Sequence, residues 1–373
     1  MSNNTAAWIG SKGAALEVKA APYPHPGEHE IVVRNHAVAI NPYDWIIQAT
    51  GGLFTRWITY PFILGSDLAG EVVEVGPGVT RFSVGDRVLG HAVGTEKARN
   101  SAAEGAFQEY TIVLDHMAAP IPATMAYEDA AVLPLALSTA ACGLFQKDQL
   151  GLEYPSATAK PTGKTLLVWG GSTSVGSNAI QLAVAAGYDV IATASPRNFD
   201  YVKGLGAGQV FDYNSSTVVA DIVAALHGRT IAGALAVATD SAGVCAEILG
   251  FASGTKFVSI ASPPVSFASV TPGRSKSVQL ARLIARVATS TVSTQIRFRM
   301  RHVGSKMIWG ASLMDDEVST VIYNDFLPQA LADGRYRAAP RPPSSSAPAF
   351  TTSKPDSTRK RKASPPKKIV ITL

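Results

Sequence analysis

Two rhythms of apolar and polar positions divide the chain. Up to about residue 130, short apolar runs such as Ile31-Val32-Val33, Gly70-Glu71-Val72-Val73-Glu74-Val75 and Arg87-Val88-Leu89 alternate with turns. Gly76-Pro77-Gly78 and Gly85-Asp86 are such turns, and Gly105 is another turn position. Short alternating runs bounded by Gly and Pro predict strands, and their close spacing predicts a partly open barrel rather than a parallel sheet. From about Ala126 the rhythm lengthens. Residues 130–145 are Ala/Leu-rich and predict a helix, and residues 155–163 form a Pro/Gly/Ser/Thr-rich linker. Thr165-Leu166-Leu167-Val168-Trp169 then predicts a strand, a Gly/Ser turn follows, residues 176–186 predict a helix and residues 190–194 a second strand. This is a βαβ unit of roughly 30 residues, the building block of a dinucleotide-binding sheet. The alternation continues with strands at 210–211, 234–238 and 256–260 and helices at 218–226 and 246–251. Beyond Thr294, residues 307–313 predict a strand, 316–333 a helix and 368–372 a terminal strand.

Composition agrees with a well-buried α/β enzyme: 46% hydrophobic, 16% charged and 32 glycines in 373 residues, enough for two or three domains. No apolar run reaches the ~18 residues that span a bilayer; the longest is broken by Pro134, Ser138 and Thr139. The first seven residues are polar and carry no secretory pattern. Cys142 and Cys245 offer no disulfide framework, so a reducing, cytoplasmic setting is expected. The formal charge of +5 hints at nucleic acid, but from Arg335 onward ten Lys/Arg stand against one acid, Asp356. The remaining 334 residues carry −4, which argues against nucleic-acid binding.

Chemistry concentrates in the turn Gly170-Gly171-Ser172-Thr173-Ser174-Val175-Gly176, which follows a strand and opens a helix. Backbone N–H groups at such a helix start bind a pyrophosphate, and glycines let it approach. Thr173 stands where the middle glycine of the strict pattern would be, so an ordinary glycine-rich turn is the competing reading. About twenty residues on, an NAD enzyme places Asp or Glu on the ribose 2′-hydroxyl. This chain has Ser195-Pro196-Arg197-Asn198 instead, and Ser195 and Arg197 suit the 2′-phosphate of NADPH. A solvated loop arginine is the alternative.

The segments Asn41-Pro42-Tyr43-Asp44, Pro61-Phe62-Ile63-Leu64-Gly65-Ser66-Asp67-Leu68-Ala69-Gly70-Glu71-Val72 and Gly85-Asp86-Arg87-Val88 make the chain resemble the medium-chain dehydrogenase/reductase superfamily. The resemblance covers all but the tail. It implies an α/β protein with a GroES-like β-rich barrel domain over 1–130, completed by about 295–340 and 367–373. A Rossmann, doubly wound parallel-sheet domain over 131–294 would bind NADP. Zinc alcohol dehydrogenases of this superfamily bind metal through Cys, His and Cys, where this chain has Asn41, Ser66 and Leu135. None is a zinc ligand, and no metal is expected; the His25/His29 pair lies in a Pro/Gly-rich loop and is read as surface polarity.

The chain is most similar to the zinc-independent quinone-oxidoreductase-like branch and to fungal trans-acting enoyl reductases. That resemblance implies that Asn41, Pro42, Tyr43 and Asp44 lie beside the nicotinamide. Gly171, Ser172, Thr173, Ser174, Val175, Gly176, Ser195, Pro196, Arg197, Asn198 and Tyr213 would contact the dinucleotide, with Ile260 and Ala261 near its nicotinamide. Pro134, Leu135, Ala136, Leu137, Ser138, Thr139, Ala140 and Ala141 would form the substrate wall. Several enoyl reductases carry Lys after the Trp of the first motif, whereas Ile46 follows Trp45 here.

The function expected is NADPH-dependent reduction of a conjugated carbonyl, enoyl or quinone, in fungal polyketide metabolism. Its small-molecule substrate would be free or carried on a protein, and the enzyme a monomer or homodimer with neither nucleic-acid nor membrane partner. Tyr43 is the candidate hydrogen-bond or proton donor, with a packing role as the alternative. A zinc-independent dehydrogenase acting on an alcohol or ketone, and a non-catalytic NADPH-binding protein, are the competing functions.

Residues 338–366 are Pro/Ser/Thr/Lys/Arg-rich without hydrophobic period, which predicts disorder. Read from the third base of each codon, residues 350–358 permit His-Asn-Ile-Gln-Ala-Gly-Leu-Asp, and 362–367 permit Gly-Val-Ser-Ala-Lys. Both suit the helix and its exit that the family resemblance implies, so 341–366 is read as a frame-shifted stretch. The alternative is a genuine tail whose Arg359-Lys360-Arg361-Lys362 cluster is a nuclear signal.

Overall fold

A computed structural model describes residues 4–53, 55–263, 276–340 and 368–373, with the side chains of 276–284 left aside. In chain order the strands are β1 (Asn4–Ile9), β2 (Leu16–Ala21), β3 (Glu30–Ala39), β4 (Phe62–Ile63), β5 (Asp67–Val75), β6 (Arg87–His91), β7 (Tyr110–Leu114) and β8 (Ala118–Pro120). They continue as β9 (Lys164–Trp169), β10 (Asp189–Ala194), β11 (Gln209–Asp212), β12 (Thr230–Ala236), β13 (Ser253–Gly254), β14 (Phe257–Ile260), β15 (Gly304–Met307) and β16 (Val370–Thr372). The helices used below are α1 (Pro42–Thr50), α2 (Tyr127–Ala130), α3 (Pro134–Phe145), α4 (Ser174–Ala185), α5 (Phe199–Gly204), α6 (Val218–Ala225), α7 (Ser241–Phe251) and α8 (Lys276–Arg301). The chain divides into two units: Met1–Leu135 with Tyr323–Leu373, and Ala136–Ile322.

The first unit is built on an antiparallel sheet of order β16-β3-β5-β6-β8, with β7 also paired to β3. The longest pairing is β3 with β5, from Ile31↔Val75 to Ala39↔Asp67, and two register shifts bend it. Val33, Val38, Leu68, Val72, Val88 and Leu89 are buried on this sheet. The terminal strand β16 adds to the other side of β3, with Val370 opposite Ala39. Helix α1 leaves β3 through Asn41, with Pro42 at its first position, where the missing N–H costs nothing. It ends at Gly51, whose φ of 62° is the left-handed conformation glycine adopts freely.

The second unit is a parallel sheet of order β11-β10-β9-β12-β14-β15, with β13 paired to β12. From β9 the chain builds outward through β10 and β11, then crosses back to β12 and builds the other way. The strand order therefore reverses between β9 and β12, and ligands bind such sheets at the carboxyl ends beside that point. Leu167, Ile191, Ile222, Ala234, Ile248, Leu249, Val258 and Phe298 form the core on one side of it.

Four sequence expectations shift. The sequence puts the return to the first unit at about 295, whereas the second unit runs to Ile322 because β15 extends the sheet, with Gly304 opposite Phe257. The strand expected over 307–313 is β15 ending at Met307, followed by a 3-10 turn at Gly310–Asp315. Gly310 sits so close to α3 that a Cβ there would lie 2.5 Å from the Thr139 hydroxyl, and the buried positions Ile308, Ala311 and Leu313 do not alternate. The helix expected over 316–333 is a short turn, Glu317–Ser319, a wider π-type stretch, Thr320–Phe326, and an α-helix, Leu327–Ala332. Pro328 near the start of the last piece has no N–H to continue a single α ladder. The helical stretch expected at 130–145 is α2 and α3, separated by a break before Pro134. By length and composition Tyr127–Phe145 could cross a bilayer, but 78% of it is buried inside the protein, the setting of a core helix. Residues 341–366, read as disordered or frame-shifted, lie outside the described residues.

Candidate active site

The glycine turn after β9 stands where the sheet order reverses. Gly170 has φ 90°, out of reach for most side chains. Gly176, in the first turn of α4, packs against it so tightly that a Cβ would lie 2.2 Å from the Gly170 carbonyl. Thr173, in place of a middle glycine, is the helix cap. Its hydroxyl accepts the Gly176 N–H at 3.0 Å and donates to the Gly170 carbonyl at 2.8 Å. The N–H groups of Ser174 and Val175, at the first two helical positions, have no acceptor within the helix. The positive end of the α4 dipole adds to them, so the cradle fits a pyrophosphate.

Partners below fix the turn: the Thr193 hydroxyl accepts the Gly170 N–H at 3.0 Å, and Ser177 bridges the Gly171 carbonyl, at 3.2 Å, and the Tyr201 hydroxyl, at 2.9 Å. Ser195, Pro196, Arg197 and Asn198 follow β10 in a 3-10 turn, with Arg197 exposed and Asn198 buried. Tyr213 follows β11 and is 45% exposed. Ile260 and Ala261 end β14, and the Ala261 N–H donates to the Ala236 carbonyl at 2.8 Å. Because the strands are parallel, all these residues share one edge of the sheet.

In the first unit, α1 and β5 bring a buried polar cluster together. Asp67, at the start of β5, is fully buried. One carboxylate oxygen accepts the Leu135 N–H, in the first turn of α3, at 2.6 Å. The other accepts the Asn41 side-chain amide at 2.8 Å and pairs with the Lys368 ammonium. Lys368, also buried, donates to the Val132 carbonyl at 3.0 Å as well. Asp44 accepts the Asn41 N–H at 2.8 Å. Burial is the largest influence on Asp44 and raises its pKa to about 7, with the Asn41 N–H opposing. Burial likewise lowers His91, at the end of β6, to about 4, against the pull of Asp67, so its ring is neutral at pH 7. The Tyr43 phenol is raised above its ordinary range, mainly by burial, with a Thr95 hydrogen bond opposing. It is a weak acid that keeps its proton. Of the eight residues 134–141, only Leu135 and Thr139 are partly exposed; the rest of that stretch of α3 is packed core.

The sequence reading missed Lys368, Asp67 and Thr193 as site residues. The signal was a lone acid at the head of the apolar run Leu68-Ala69, and a lysine directly before a terminal strand. Alternation alone cannot show that two such charges meet.

Residues 27–123 match the alcohol dehydrogenase GroES-like domain. Dehydrogenase pigH of Monascus ruber is 50% identical over 342 residues, 91% of each chain. Trans-enoyl reductase himH of Aspergillus japonicus is 36% identical over 91% of this chain and 89% of its own. The chain belongs to the medium-chain dehydrogenase/reductase superfamily. An alcohol dehydrogenase superfamily protein from Novosphingobium aromaticivorans shares the fold, with TM-score 0.71 and 23% identity over 99% of both chains. As a member, the protein is an oxidoreductase that uses a nicotinamide cofactor.

Zinc-dependent members hold their metal through thiolate and imidazole groups. Here Asn41 and Leu135 both direct N–H donors at Asp67, and the Lys368 ammonium already neutralises it. These residues do not fit zinc. Among the described residues no group of three or more His, Cys, Asp or Glu is placed to hold a metal. Elemental analysis of the purified protein is expected to find no stoichiometric zinc, and chelation to leave its melting temperature unchanged.

Two further outcomes follow from the cluster. Asp67→Asn or Lys368→Met alone strands a buried charge and is expected to cost about 3–5 kcal/mol in urea unfolding, while the double variant recovers much of the loss. Equal and additive losses would contradict a buried pair. Asp44 is raised from 3.8 to about 7, so the fold binds a proton that the unfolded chain releases. Stability present below the lower value is lost as pH rises through the upper one. Asp44→Asn is expected to flatten the fall in melting temperature between about pH 4 and pH 8.

Proposed function

We propose that this oxidoreductase uses NADPH to reduce a conjugated carbonyl compound of enoyl type in fungal secondary metabolism, free or carried as a thioester. The cofactor choice rests on one observation: the segment after β10 offers Ser195 and the exposed Arg197 and no carboxylate. A guanidinium pairs with a phosphate through two parallel hydrogen bonds, whereas a carboxylate at that place would repel it. The reaction class is supported by the relative named trans-enoyl reductase and by a donor set unsuited to zinc. Without a Lewis acid, polarisation of an alcohol or ketone loses its usual device, while an activated alkene accepts hydride with less help.

The bound nicotinamide supplies the hydride. The chain supplies placement. The first-turn N–H groups of α4 hold the pyrophosphate, Arg197 the 2′-phosphate and Tyr213 the outer dinucleotide. Ile260 and Ala261 offer an apolar, half-buried surface to the nicotinamide. Tyr43, keeping its proton, serves as a hydrogen-bond donor to the oxygen of a developing enolate. Leu135 and Thr139 are the side chains of the α3 wall that have surface to offer a substrate.

NADPH oxidation against enoyl thioesters, quinones and ketones, with products identified by mass spectrometry, tests the reaction. Turnover of ketones alone would favour the dehydrogenase reading, which the name of the Monascus relative supports. Arg197→Ala is expected to weaken NADPH binding roughly 10- to 100-fold, the worth of a charge-assisted hydrogen bond, and to leave NADH binding unchanged. Equal loss for both cofactors overturns the assignment.

A further inference from the structure

The net charge of −4 over residues 1–334 conceals a strong separation. Between Glu247 and Asp315 there is no acid at all, and nine Lys/Arg fall in that stretch. Most of them lie on or beside α8. This helix has 26 residues, a length of about 39 Å at 1.5 Å per residue. Its C-terminal end packs on α7: Arg301 lies over Gly250 and Arg297 over Gly243, while Phe298 is buried in the core. Helix α7 has only 11 residues and starts just after β12 ends. The level of Arg297 therefore corresponds to the carboxyl edge of the sheet, and the preceding turns of α8 run past that edge. Exposure agrees, since no residue from 285 to 297 is buried. The edge they overhang is the one that carries the glycine turn and Arg197.

The exposed face of α8 has a pattern of its own. Val292, Ile296 and Met300 are 59%, 51% and 74% exposed and recur every four residues, which makes one continuous apolar stripe opposite Phe298. At about 100° per residue, Arg299 flanks the stripe on one side and Arg286 and Arg297 on the other. Among the described residues only Arg301, of the helix's arginines, comes near a carboxylate, Glu247 at 4.0 Å. An apolar ridge flanked by uncompensated arginines is complementary to a protein surface with an apolar groove and an acidic rim.

Other occupants fit less well. A second copy would bring like charges together across a two-fold axis. A membrane-surface helix needs bulky or aromatic anchors, and the exposed stretch has Thr289, Ser290, Thr291, Ser293 and Thr294 instead. Nucleic acid would leave the apolar stripe unused.

We propose that α8, through Arg286, Arg297 and Arg299 around Val292, Ile296 and Met300, docks an acidic protein carrier that presents the acyl substrate at the cofactor edge of the sheet. This rests on the thioester form of the proposed function. The test uses the full chain with an acidic acyl carrier protein bearing a crotonyl thioester, beside crotonyl-pantetheine with no protein attached. Binding of the loaded carrier is measured by fluorescence anisotropy, separately from turnover. Arg286→Glu/Arg299→Glu is expected to weaken carrier binding at least about tenfold and to raise its KM similarly. The kcat/KM for crotonyl-pantetheine is expected to stay unchanged. Ile296→Asn, which leaves every charge in place, is expected to act in the same direction. Unchanged carrier binding in both variants, equal loss with both substrates, or no binding by the wild type overturns the docking surface. So does retention of carrier binding by variants that lose wild-type binding to phosphatidylserine vesicles or to a DNA duplex. If neither crotonyl compound is reduced, the enoyl reading fails while anisotropy still decides the docking.

Discussion

A negative charge buried without compensation would unfold the first unit, and Asp67 is such a charge with its compensation built in. It lies at the head of β5, among the apolar positions of a sheet core. Three groups from three parts of the chain meet it: the Asn41 amide before α1, the first-turn N–H of Leu135 on α3, and the Lys368 ammonium just ahead of β16. The entry to α1, the start of α3 and the seating of β16 beside β3 all depend on this one carboxylate. Desolvating two ions costs several kcal/mol each, and only good geometry with further hydrogen bonds recovers it. Here the Val132 carbonyl supplies one of those bonds.

The same cluster is chemically unsuited to zinc, because its carboxylate is already met by N–H donors and an ammonium. The Asn41 amide and the backbone N–H of Leu135 donate to Asp67 and offer no lone pair to a metal there. A fixed ammonium takes over the task of balancing the carboxylate, but it has no open coordination site to offer a substrate. On the proposed reduction of a conjugated carbonyl, placement and hydrogen bonding are what such a cluster leaves the chain to supply.

Much of this was legible in the sequence because it is local. The β9–turn–α4–β10 unit could be read from Thr165-Leu166-Leu167-Val168-Trp169 and its glycines, since strand, turn and helix each leave a signature within a few residues. Thr173 looked like a defect in the glycine pattern and proved to be the cap that shapes the turn. The Asp67–Lys368 pair was not legible, because it joins residues 301 positions apart. Residues 307–313 misled for a related reason: their apolar character comes from packing on α3 at irregular spacing, not from pleating. Net charge misled by averaging, since an acid-free stretch was cancelled by acids elsewhere in the body.

The separation of Lys368 from its partner also sets an order of assembly. At about 5–20 residues per second, synthesis leaves Asp67 waiting roughly 15–60 s for Lys368, 301 positions on. During that time the whole of Ala136–Ile322, with all its strands, has emerged. The unit that begins the chain is thus the last to be finished. Losing Lys368 would therefore do more than shorten an edge strand's approach; it would leave the Asp67 carboxylate without its counter-charge inside the first unit.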